Sequence, residues 1–437
     1  MVPHLITALE GPLQDLERRL LDASAEIERW FRLQWQDHTP PFYGSVDLRN
    51  AGFKLAPVDT NLYPGGFNNL SDDALPLAVQ AAMAAIERAC PAAGELLLIP
   101  ENHTRNQFYL ANVLRLGTIL HQAGVTVRYG SLNPEVTEPT LLDAAHGQQL
   151  LVEPLRRRDD RLGLDGFDPD LILVNNDLSS GLPVMLQGLR DQVLLPPLHA
   201  GWAVRRKSHH FSAYSEVAQQ FAQMLGIDAW LIDPYFATCG KVDFQAREGE
   251  GCLQDNVAWL LAKVRAKYRE YGIQEQPFVI VKSDAGTYGM GVMSVRDPSD
   301  MLNLNRRTRN KMAVGKEGRS VQEVILQEGV PTVEAIEAGN AEPVVYMIDR
   351  CVVGGFYRVN AERGRDENLN APGMRFVPLP FAGPCNRPDH AAALEDAPNR
   401  FYAYGVIARL ALLAASVELE QTAPGKSGPD NPSGQPH

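Results

Sequence analysis

At 437 residues the chain is long enough for two or three domains with ample hydrophobic cores. Its hydrophobic residues (45%) and charged residues (22%) are ordinary for a soluble globular protein. The net charge of −12 at pH 7 excludes a large basic surface, so neither nucleic acid nor a membrane is an expected partner.

Five dispersed cysteines, an odd number without a C-x-x-C pair, argue against a disulfide framework and against a zinc site. The chain does not open with a basic segment followed by an apolar one, and no apolar run reaches about 18 residues. We therefore expect a cytoplasmic protein that is neither exported nor membrane-spanning.

The first 75 residues predict helices followed by a polar loop. Apolar residues recur at helical spacing from Ala8 to Gln36, and tandem prolines end this segment. The next passage, SVDLRNAGFKLAPVDTNLYPGGFNNL, mixes charges of both signs with aromatic residues. We interpret it as a loop that either faces water or binds a small molecule through Asp59 and Asn61.

From residue 76 to about 245, strands and helices alternate, which predicts an α/β domain. Ligands of open α/β sheets bind at the carboxyl ends of the strands. The loops PENHTRN and NNDLSSG fall there, and HAGWAVRRKSHHF could converge with them. Arginines suit the carboxylates and asparagines suit the ammonium of an amino-acid ligand. The candidates are Asn102, Arg105, Asn175, Asn176, Arg205 and Arg206. The alternative is that Asn and Asp only cap helices there.

The stretch FVIVKSDAGTYGMGVMSV predicts a β-hairpin with a glycine-rich tip. Lys282 ends the first apolar run, and Gly286, Gly289 and Gly291 follow. Glycines let backbone N–H groups approach an anion, and the lysine adds a positive charge for a phosphate. Because the lysine precedes the glycines and a strand follows, neither a Walker A loop nor a dinucleotide fingerprint fits. We interpret the hairpin as a nucleotide-phosphate loop; the alternative is an ordinary turn.

The segment after the hairpin carries the residue types of a magnesium-dependent phosphoryl-transfer site. Magnesium prefers carboxylate and amide oxygens, and an arginine can neutralise the charge that develops on a moving phosphoryl group. These types are supplied by Asp349, Glu362, Asn368, Asn370 and Arg358. Upstream, the basic run 301–320 is either a solvated face or a lid. An amphipathic helix over Arg400–Glu420 and a tail expected to be disordered end the chain.

The order of these parts resembles the ATP-grasp nucleotide site, in which two α+β lobes clasp ATP. The resemblance implies phosphate contacts from Lys282 and the three hairpin glycines, and an adenine-binding hinge at Gln327, Glu328 and Val330. It places Arg358 on the transferred phosphoryl group and Asp349, Asn368 and Asn370 on metal. ATP-grasp enzymes usually carry a late Glu-x-Asn triplet on a strand, and none precedes the final helix here.

Almost the whole chain further resembles the proteobacterial form of glutamate–cysteine ligase. The stretches that carry this resemblance are VDTNLYPGGFNNL, IPENHTRNQFYLANVLRLG, VKSDAGTYGMGVMSV and YMIDRCVVGGFYRVNAERGRDENLNAPGMRF. The resemblance implies an α/β and α+β fold, with an N-terminal α/β substrate domain followed by an ATP-grasp-like domain. We expect four parts: 1–75, 76–245, 246–421 and a tail at 422–437.

The implied activity is ATP-dependent joining of the γ-carboxylate of L-glutamate to L-cysteine through an acyl phosphate, the first step of glutathione biosynthesis. The expected partners are these small molecules, ATP and Mg²⁺, with a possible homo-oligomer. The alternatives are another ATP-grasp carboxylate–amine ligase, such as a glutathione-synthetase-like or dipeptide ligase, a kinase-like phosphotransferase, and a nucleotide-binding protein without catalysis.

Overall fold

The computed structural model describes residues 5–6, 12–102, 105–286, 291–313, 321–379 and 400–425. In these ranges the helices are α1 (Pro12–Asp22), α2 (Ser24–Asp37), α3 (Leu75–Ala89), α4 (Gln107–Gln122), α5 (Lys207–Leu225), α6 (Glu250–Glu270), α7 (Arg306–Ala313) and α8 (Arg400–Gln421). The strands are β1 (Leu5–Ile6), β2 (Tyr43–Asn50), β3 (Leu55–Asn61), β4 (Glu95–Pro100), β5 (Thr126–Ser131), β6 (Thr140–Asp143), β7 (Gln149–Pro154), β8 (Arg156–Arg158), β9 (Arg161–Gly163), β10 (Leu171–Asn175), β11 (Val193–Leu195), β12 (Phe236–Gly240), β13 (Val279–Ser283), β14 (Val292–Val295), β15 (Glu323–Glu328), β16 (Ala335–Ile336), β17 (Gly339–Ile348), β18 (Cys351–Asn360) and β19 (Arg375–Pro378).

The predicted α/β region forms a six-stranded sheet in the order β11-β10-β4-β5-β7-β6. Its strands are parallel except for β6, and the central β4 and β10 are apolar and buried on both faces. The predicted alternation is interrupted at two places. The segment between Gly181 and Arg190 contains a short 3₁₀ turn after Pro183, and Ala229–Leu231 is a 3₁₀ turn capped by Asp228.

The predicted glycine-rich hairpin is confirmed as part of a four-stranded antiparallel sheet, ordered β12-β15-β13-β14. Lys282 lies opposite Val292 in the hairpin register. Valines at alternate positions of β13 point into a core that they share with α6, so the intervening side chains point to the opposite face. That opposite face carries Lys282.

A seven-stranded sheet is built around the long antiparallel pair β17 and β18, with β19 beside β18. The other edge of β17 pairs with β2, and β2 pairs with β3. The passage that we interpreted as a loop at 45–70 therefore contains most of a β-hairpin. The sheet takes strands from both sides of the expected boundaries at 75 and 245, so the four-part division stays a prediction.

Helix α8 packs between the seven-stranded sheet and α5, and its residues from Tyr402 to Ala415 are buried. The expected amphipathic pattern is wrong because the helix is covered on all sides. By length and composition it could cross a membrane, the one such helix among the described residues, but 89% of its apolar window is buried inside the protein. Its hydrophobicity is accounted for by its position in the core.

Two of the cysteines are brought together by the fold. Cys239 of β12 and Cys252 of α6 form a disulfide, although their spacing in the sequence argued against one. The pairing follows from α6 packing on the four-stranded sheet, which is a tertiary contact and leaves no mark on cysteine spacing.

Candidate active site

A cleft with an empty volume of about 1000 Å³, open solvent included, lies between the four-stranded and the seven-stranded sheets. Residues from both sheets, from the start of α5 and from the loop after β18 line it. The lining residues are Asp47, Arg49, Val58, Asp59, Lys207, Phe278, Ile280, Lys282, Ser283, Ala285, Gly286, Val292, Gln327, Glu328, Val330, Glu342, Arg358, Asp366, Glu367, Asn368 and Asn370.

Lys282 stands at the end of β13 with its ammonium inside the cleft. It donates to the Val58 carbonyl (2.7 Å) and to Gln327 Oε1 (2.9 Å). Desolvation lowers the pKa of this lysine to about 8; Asp59 opposes the shift, and the positive charge of Lys207 adds to it. A lysine held this way is a poorly compensated positive charge that favours an anionic ligand.

The hairpin tip needs glycine for conformational reasons. Gly286 and Gly291 have φ values of +95° and +62°, in the left-handed region that other residues rarely adopt. Gly286 lines the cleft, whereas Gly289 lies outside the described residues. The backbone beside Lys282 can therefore approach a ligand closely, as expected.

The hairpin is fastened to the start of α5 through Asp284. Its buried carboxylate accepts the backbone N–H (2.8 Å) and the hydroxyl (2.7 Å) of Ser208, and its carbonyl accepts the N–H of Lys207 (2.7 Å). These bonds satisfy orphan donors of the helix N-terminus. As a result, Lys207 is placed beside the glycine-rich hairpin.

Three carboxylates converge on the opposite wall. Asp47 of β2 and Asp59 of β3 are directly opposite each other in the sheet register, and Glu342 lies on the adjacent β17. Like charges at opposite positions destabilise a sheet unless cations compensate them. Burial raises the pKa of Asp47 while Arg358 opposes this; Lys207 and Lys282 hold the pKa of Asp59 at about 2 despite its burial.

Two arginines hold these carboxylates. Arg358 Nη1 donates to Asp47 Oδ2 (2.8 Å) and Glu342 Oε1 (2.6 Å), and its buried Nε lacks a partner among the described residues. Arg49 Nε lies 2.5 Å from Glu342 Oε2 and also binds carbonyls of the loop after β18. The predicted Arg358 therefore does lie at the charged end of the cleft.

The other end of the cleft is apolar, with Phe278, Ile280, Val292 and Val330 on its walls. Gln327, between the two ends, has a buried Nε2 without a partner in the described part of the chain. A flat aromatic base with polar edges fits this composition.

The predicted hinge residue Glu328 needs a correction. Its carboxylate turns away from the cleft and accepts from Lys54 Nζ (2.8 Å), Trp230 Nε1 (3.0 Å) and the Tyr235 N–H (3.0 Å). These buried donors occupy the side chain, and the Glu328 backbone N–H donates to the Tyr235 carbonyl (2.7 Å), so neither group is available to a ligand.

Two of the predicted metal ligands lie outside the cleft. Asp349 sits in the turn between β17 and β18, where Arg88 binds its buried carboxylate in a bidentate ion pair, one arm of which is 2.9 Å long. Glu362 is exposed and does not line the cleft. Asn368 and Asn370 do line it. We therefore remove Asp349 and Glu362 from the candidate metal site.

Most of the predicted substrate residues are engaged in holding the fold. Asn175 donates to Tyr43 Oη (3.2 Å) and to the Pro64 carbonyl (3.0 Å), while its Oδ1 accepts from Tyr109 Oη (3.0 Å). Asn176 Oδ1 accepts the Leu178 N–H in a local turn. These asparagines close the end of β10 and are not free to bind an ammonium.

The arginines follow the same pattern. Arg205 forms a buried pair with Glu418 of α8 (2.8 and 2.9 Å), and Arg206 pairs with Glu323 (2.7 Å) outside the cleft lining. Asn102 and Arg105 are exposed and also lie outside the lining. Asn61 is bonded to the Tyr63 backbone, two residues along β3 from Asp59. Of the predicted substrate set, Asp59 alone lines the cleft.

Sequence reasoning missed Asp47, Arg49, Lys207 and Glu342 as site residues. A signal for the first two was present: Val46 and Leu48 alternate with polar residues, which is the period-2 pattern of a half-buried strand. Lys207 was recognised in the sequence only as one of four basic residues that could hold a carboxylate. Glu342 precedes an apolar run and carries no local signal.

The described residues contain no cluster of three or more His, Cys, Asp and Glu side chains arranged to hold a metal. Asp47, Asp59 and Glu342 are instead paired with cationic side chains. The oxygen-rich chemistry of these carboxylates, with amide oxygens from Asn368 and Asn370 nearby in the same cleft, fits a hard divalent cation such as Mg²⁺.

The family model described as "GshA: Glutamate-cysteine ligase" matches residues 17–419. A crystal structure from Methylobacillus flagellatus KT, provisionally named gamma-glutamylcysteine synthetase, shares 64% sequence identity with a TM-score of 0.89. The match covers 97% of this chain and 99% of that one.

Two other solved structures are more distant. A glutathione synthetase-like effector from Globodera pallida is 8% identical, with a TM-score of 0.37 and coverage of 84% of this chain and 80% of that chain. D-alanyl-alanine synthetase A from Vibrio cholerae is 12% identical, with a TM-score of 0.33 and coverage of 72% and 80%. The comparison with curated proteins finds no match. The family match over nearly the whole length and the similarity to the Methylobacillus protein establish that this chain belongs to the glutamate–cysteine ligase family.

Proposed function

We propose that the cleft binds Mg-ATP and catalyses ATP-dependent ligation of the γ-carboxylate of L-glutamate to the amine of L-cysteine, giving γ-L-glutamyl-L-cysteine. The observation that carries this proposal is the meeting of a glycine-rich hairpin and its lysine with Arg358 and three carboxylates in one cleft between two sheets. This combination suits phosphoryl transfer, and family membership supplies the two amino acids.

The asymmetry of the cleft supports one orientation of the nucleotide. The adenine ring lies at the apolar end, where the backbone of Val330 forms no bond to another backbone group among the described residues. The phosphates lie at the charged end under Gly286, with Lys282 on the β and γ groups and Arg358 on the group that is transferred. In this arrangement the two lobes clasp ATP, which makes the protein an ATP-grasp-like ligase.

Asp47, Asp59 and Glu342, with Asn368 or Asn370, would hold Mg²⁺. When bound, the cation neutralises phosphate charge and polarises the γ-phosphorus for attack.

The reaction needs two displacements. A γ-carboxylate oxygen of glutamate attacks the γ-phosphorus of ATP, ADP leaves, and the carboxylate becomes an acyl phosphate. The deprotonated amine of cysteine then attacks the acyl carbon, and inorganic phosphate leaves as the amide forms. Lys282 and Arg358 stabilise the charge that develops on the moving phosphoryl group.

The test is ADP release by purified protein with Mg-ATP and L-glutamate, with and without L-cysteine. We expect cysteine-dependent ADP release and a product with the mass of γ-glutamylcysteine. A parallel reaction contains γ-glutamylcysteine and glycine, which a glutathione-synthetase-like ligase would use. Turnover only in that reaction would overturn the choice of substrates, and a phosphorylated product without a peptide bond would indicate a phosphotransferase.

A further inference from the structure

Lys207 lines the cleft but has no role in the reaction described above. It is the first residue of α5, and its side chain is 7% exposed. Its ammonium lies 2.5 Å from Asp59 Oδ1 and 4.3 Å from the centre of the Trp202 ring. Thus it sits between one carboxylate and one aromatic face, at the rim of the charged end.

The partner of Lys207 is also one of the carboxylates that we place on the divalent cation. A doubly charged ion at Asp59 competes with the singly charged lysine for the same oxygens. The lysine then remains in a poorly hydrated site beside a second lysine, Lys282, without its counter-ion. Such a group needs a new anion.

The neighbouring cation does not take part in this exchange. Arg205 lies 4.8 Å from the centre of the same Trp202 ring, but its guanidinium is already paired with the buried Glu418. The ATP phosphates are assigned to Lys282 and Arg358. The anions left are the carboxylates of glutamate and cysteine, and of these the γ-carboxylate of glutamate is the one that must reach the charged end, where Lys207 lies beside Lys282, to attack ATP.

The surroundings give the direction from which this carboxylate arrives. The backbone N–H of Trp202 donates to the carbonyl of Asp177 (2.9 Å), a residue that follows β10 at the carboxyl end of the six-stranded sheet. Lys207 therefore stands where the ligand-binding edge of that sheet meets the phosphate end of the cleft. A glutamate molecule bound by the sheet edge and by the charged end of the cleft would have its γ-carboxylate at Lys207.

We propose that Lys207, on the face of Trp202, forms the subsite for the γ-carboxylate of L-glutamate, and that binding of the divalent cation at Asp59 releases Lys207 for this role. The inference rests on the proposed function. In the ligand-free protein Lys207 neutralises Asp59. When the cation and substrates are bound, Lys207 contacts the glutamate carboxylate instead.

The experiment compares Lys207→Met, Lys207→Arg and wild-type protein. Binding of L-glutamate is measured by calorimetry in the presence of Mg²⁺ and a non-hydrolysable ATP analogue. We expect Lys207→Met to weaken glutamate binding by about tenfold or more, as for a lost charge-assisted contact, and Lys207→Arg to restore part of it. Binding of the ATP analogue should change little.

A second measurement follows Mn²⁺ binding without glutamate, by electron paramagnetic resonance. Because Lys207 competes with the cation for Asp59, Lys207→Met should bind Mn²⁺ as tightly as wild type or more tightly. The matched control is Lys267→Met. Lys267 lies on α6 outside the cleft lining, and its ammonium pairs with Asp228 (2.6 Å). This variant should leave both affinities unchanged.

Glutamate affinity within about twofold of wild type in a folded Lys207→Met protein would overturn the proposal. Weaker Mn²⁺ binding would do the same, because Lys207 would then support the cation site. Should Lys207→Met fail to fold, Lys207→Gln is judged by the same two criteria. Failure of the wild type to release ADP with glutamate and cysteine would instead refute the proposed function.

Discussion

Lys282 was recognised from the sequence and lies at the charged end of the cleft. Its ammonium is held by a carbonyl and an amide oxygen, with no carboxylate hydrogen-bonded to it among the described residues. We expect Lys282→Met to lower kcat/KM by about a hundredfold or more, the usual effect of removing a charge-stabilising donor. Turnover of the folded variant measures this, and near-normal turnover would remove Lys282 from the phosphate site.

The low pKa of Lys282 predicts proton uptake on nucleotide binding. Without ligand the lysine loses its proton as the pH rises through about 8, and bound phosphate raises the pKa again because it favours the ammonium. Uptake should therefore be clear at about pH 8.5 and vanish well below pH 8, where the lysine is already charged.

Calorimetry of ATP-analogue binding in two buffers with different ionisation enthalpies measures this uptake. In the Lys282→Met variant, proton uptake on binding of the ATP analogue should disappear. Proton release at about pH 8.5, or an uptake that persists in the variant, would contradict the assignment.

Substitutions of Asp59 and Asp349 should have opposite effects on metal binding and stability, although sequence analysis placed Asp349 on metal. Asp59→Asn should weaken Mn²⁺ binding by about tenfold or more, because it removes a charged oxygen ligand. Asp349→Ala should leave Mn²⁺ binding unchanged and lower the free energy of unfolding by about 1–2 kcal/mol, because it removes the charged hydrogen bonds to Arg88, whose partly exposed guanidinium can regain water.

Mn²⁺ titration and urea denaturation of both variants distinguish the two roles. The exposed Glu362→Gln serves as the common control and should behave as wild type in both measurements. Loss of Mn²⁺ affinity in Asp349→Ala would restore the metal site that the sequence suggested.

At the scale of elements, the contact between the glycine-rich hairpin and α5 fixes where the hairpin lies in the cleft. Asp284 closes the N-terminus of α5 and fixes the backbone that follows Lys282. Asp284→Ala should lower stability by about 1 kcal/mol, as for a lost helix cap, and raise the KM for ATP more than it lowers kcat.

Thermal unfolding and steady-state kinetics check this expectation. Asp297→Ala is the matched control, since Asp297 caps the 3₁₀ turn Pro298–Met301 outside the cleft lining. It should lose comparable stability with an unchanged KM for ATP. Equal KM values in both variants would show that the cap does not position the hairpin.

The hairpin of β2 and β3 is the element that sequence analysis misjudged most. Prolines and glycines in and after it suggested a loop, and the alternation of Val46 and Leu48 with polar residues was overlooked. Its strands gain stability from pairing with β17, a partner far along the chain. Local propensity is a weak guide where such tertiary pairing supplies the stability.

At the scale of the molecule, this pairing means that the N-terminal residues complete one wall of the cleft. A chain that lacks residues 1–75 loses β2 and β3, leaving one edge of β17 unpaired and the core under α8 open. We expect it neither to unfold cooperatively nor to bind an ATP analogue. Calorimetry and urea denaturation test this, and a stable, ATP-binding product would show that the first 75 residues form a separate unit.

By itself the sequence determined the elements whose signals are local. The alternation of strands and helices from residue 76 follows from apolar patterning, and the glycine-rich hairpin follows from two apolar runs around turn residues. Lys282 and the hairpin glycines were recognised because they lie within one short segment at a characteristic spacing.

Only the tertiary structure decided which polar residues meet. Asp47 and Arg358 are 311 positions apart yet bonded, and no pattern along the chain records that contact. Conversely, Asp349, Asn175 and Arg205 are of residue types common in binding sites, but their side chains are bonded to other residues of the fold. A charged side chain looks the same in sequence whether it faces a ligand or another residue; burial and pairing, which depend on the whole fold, make the difference.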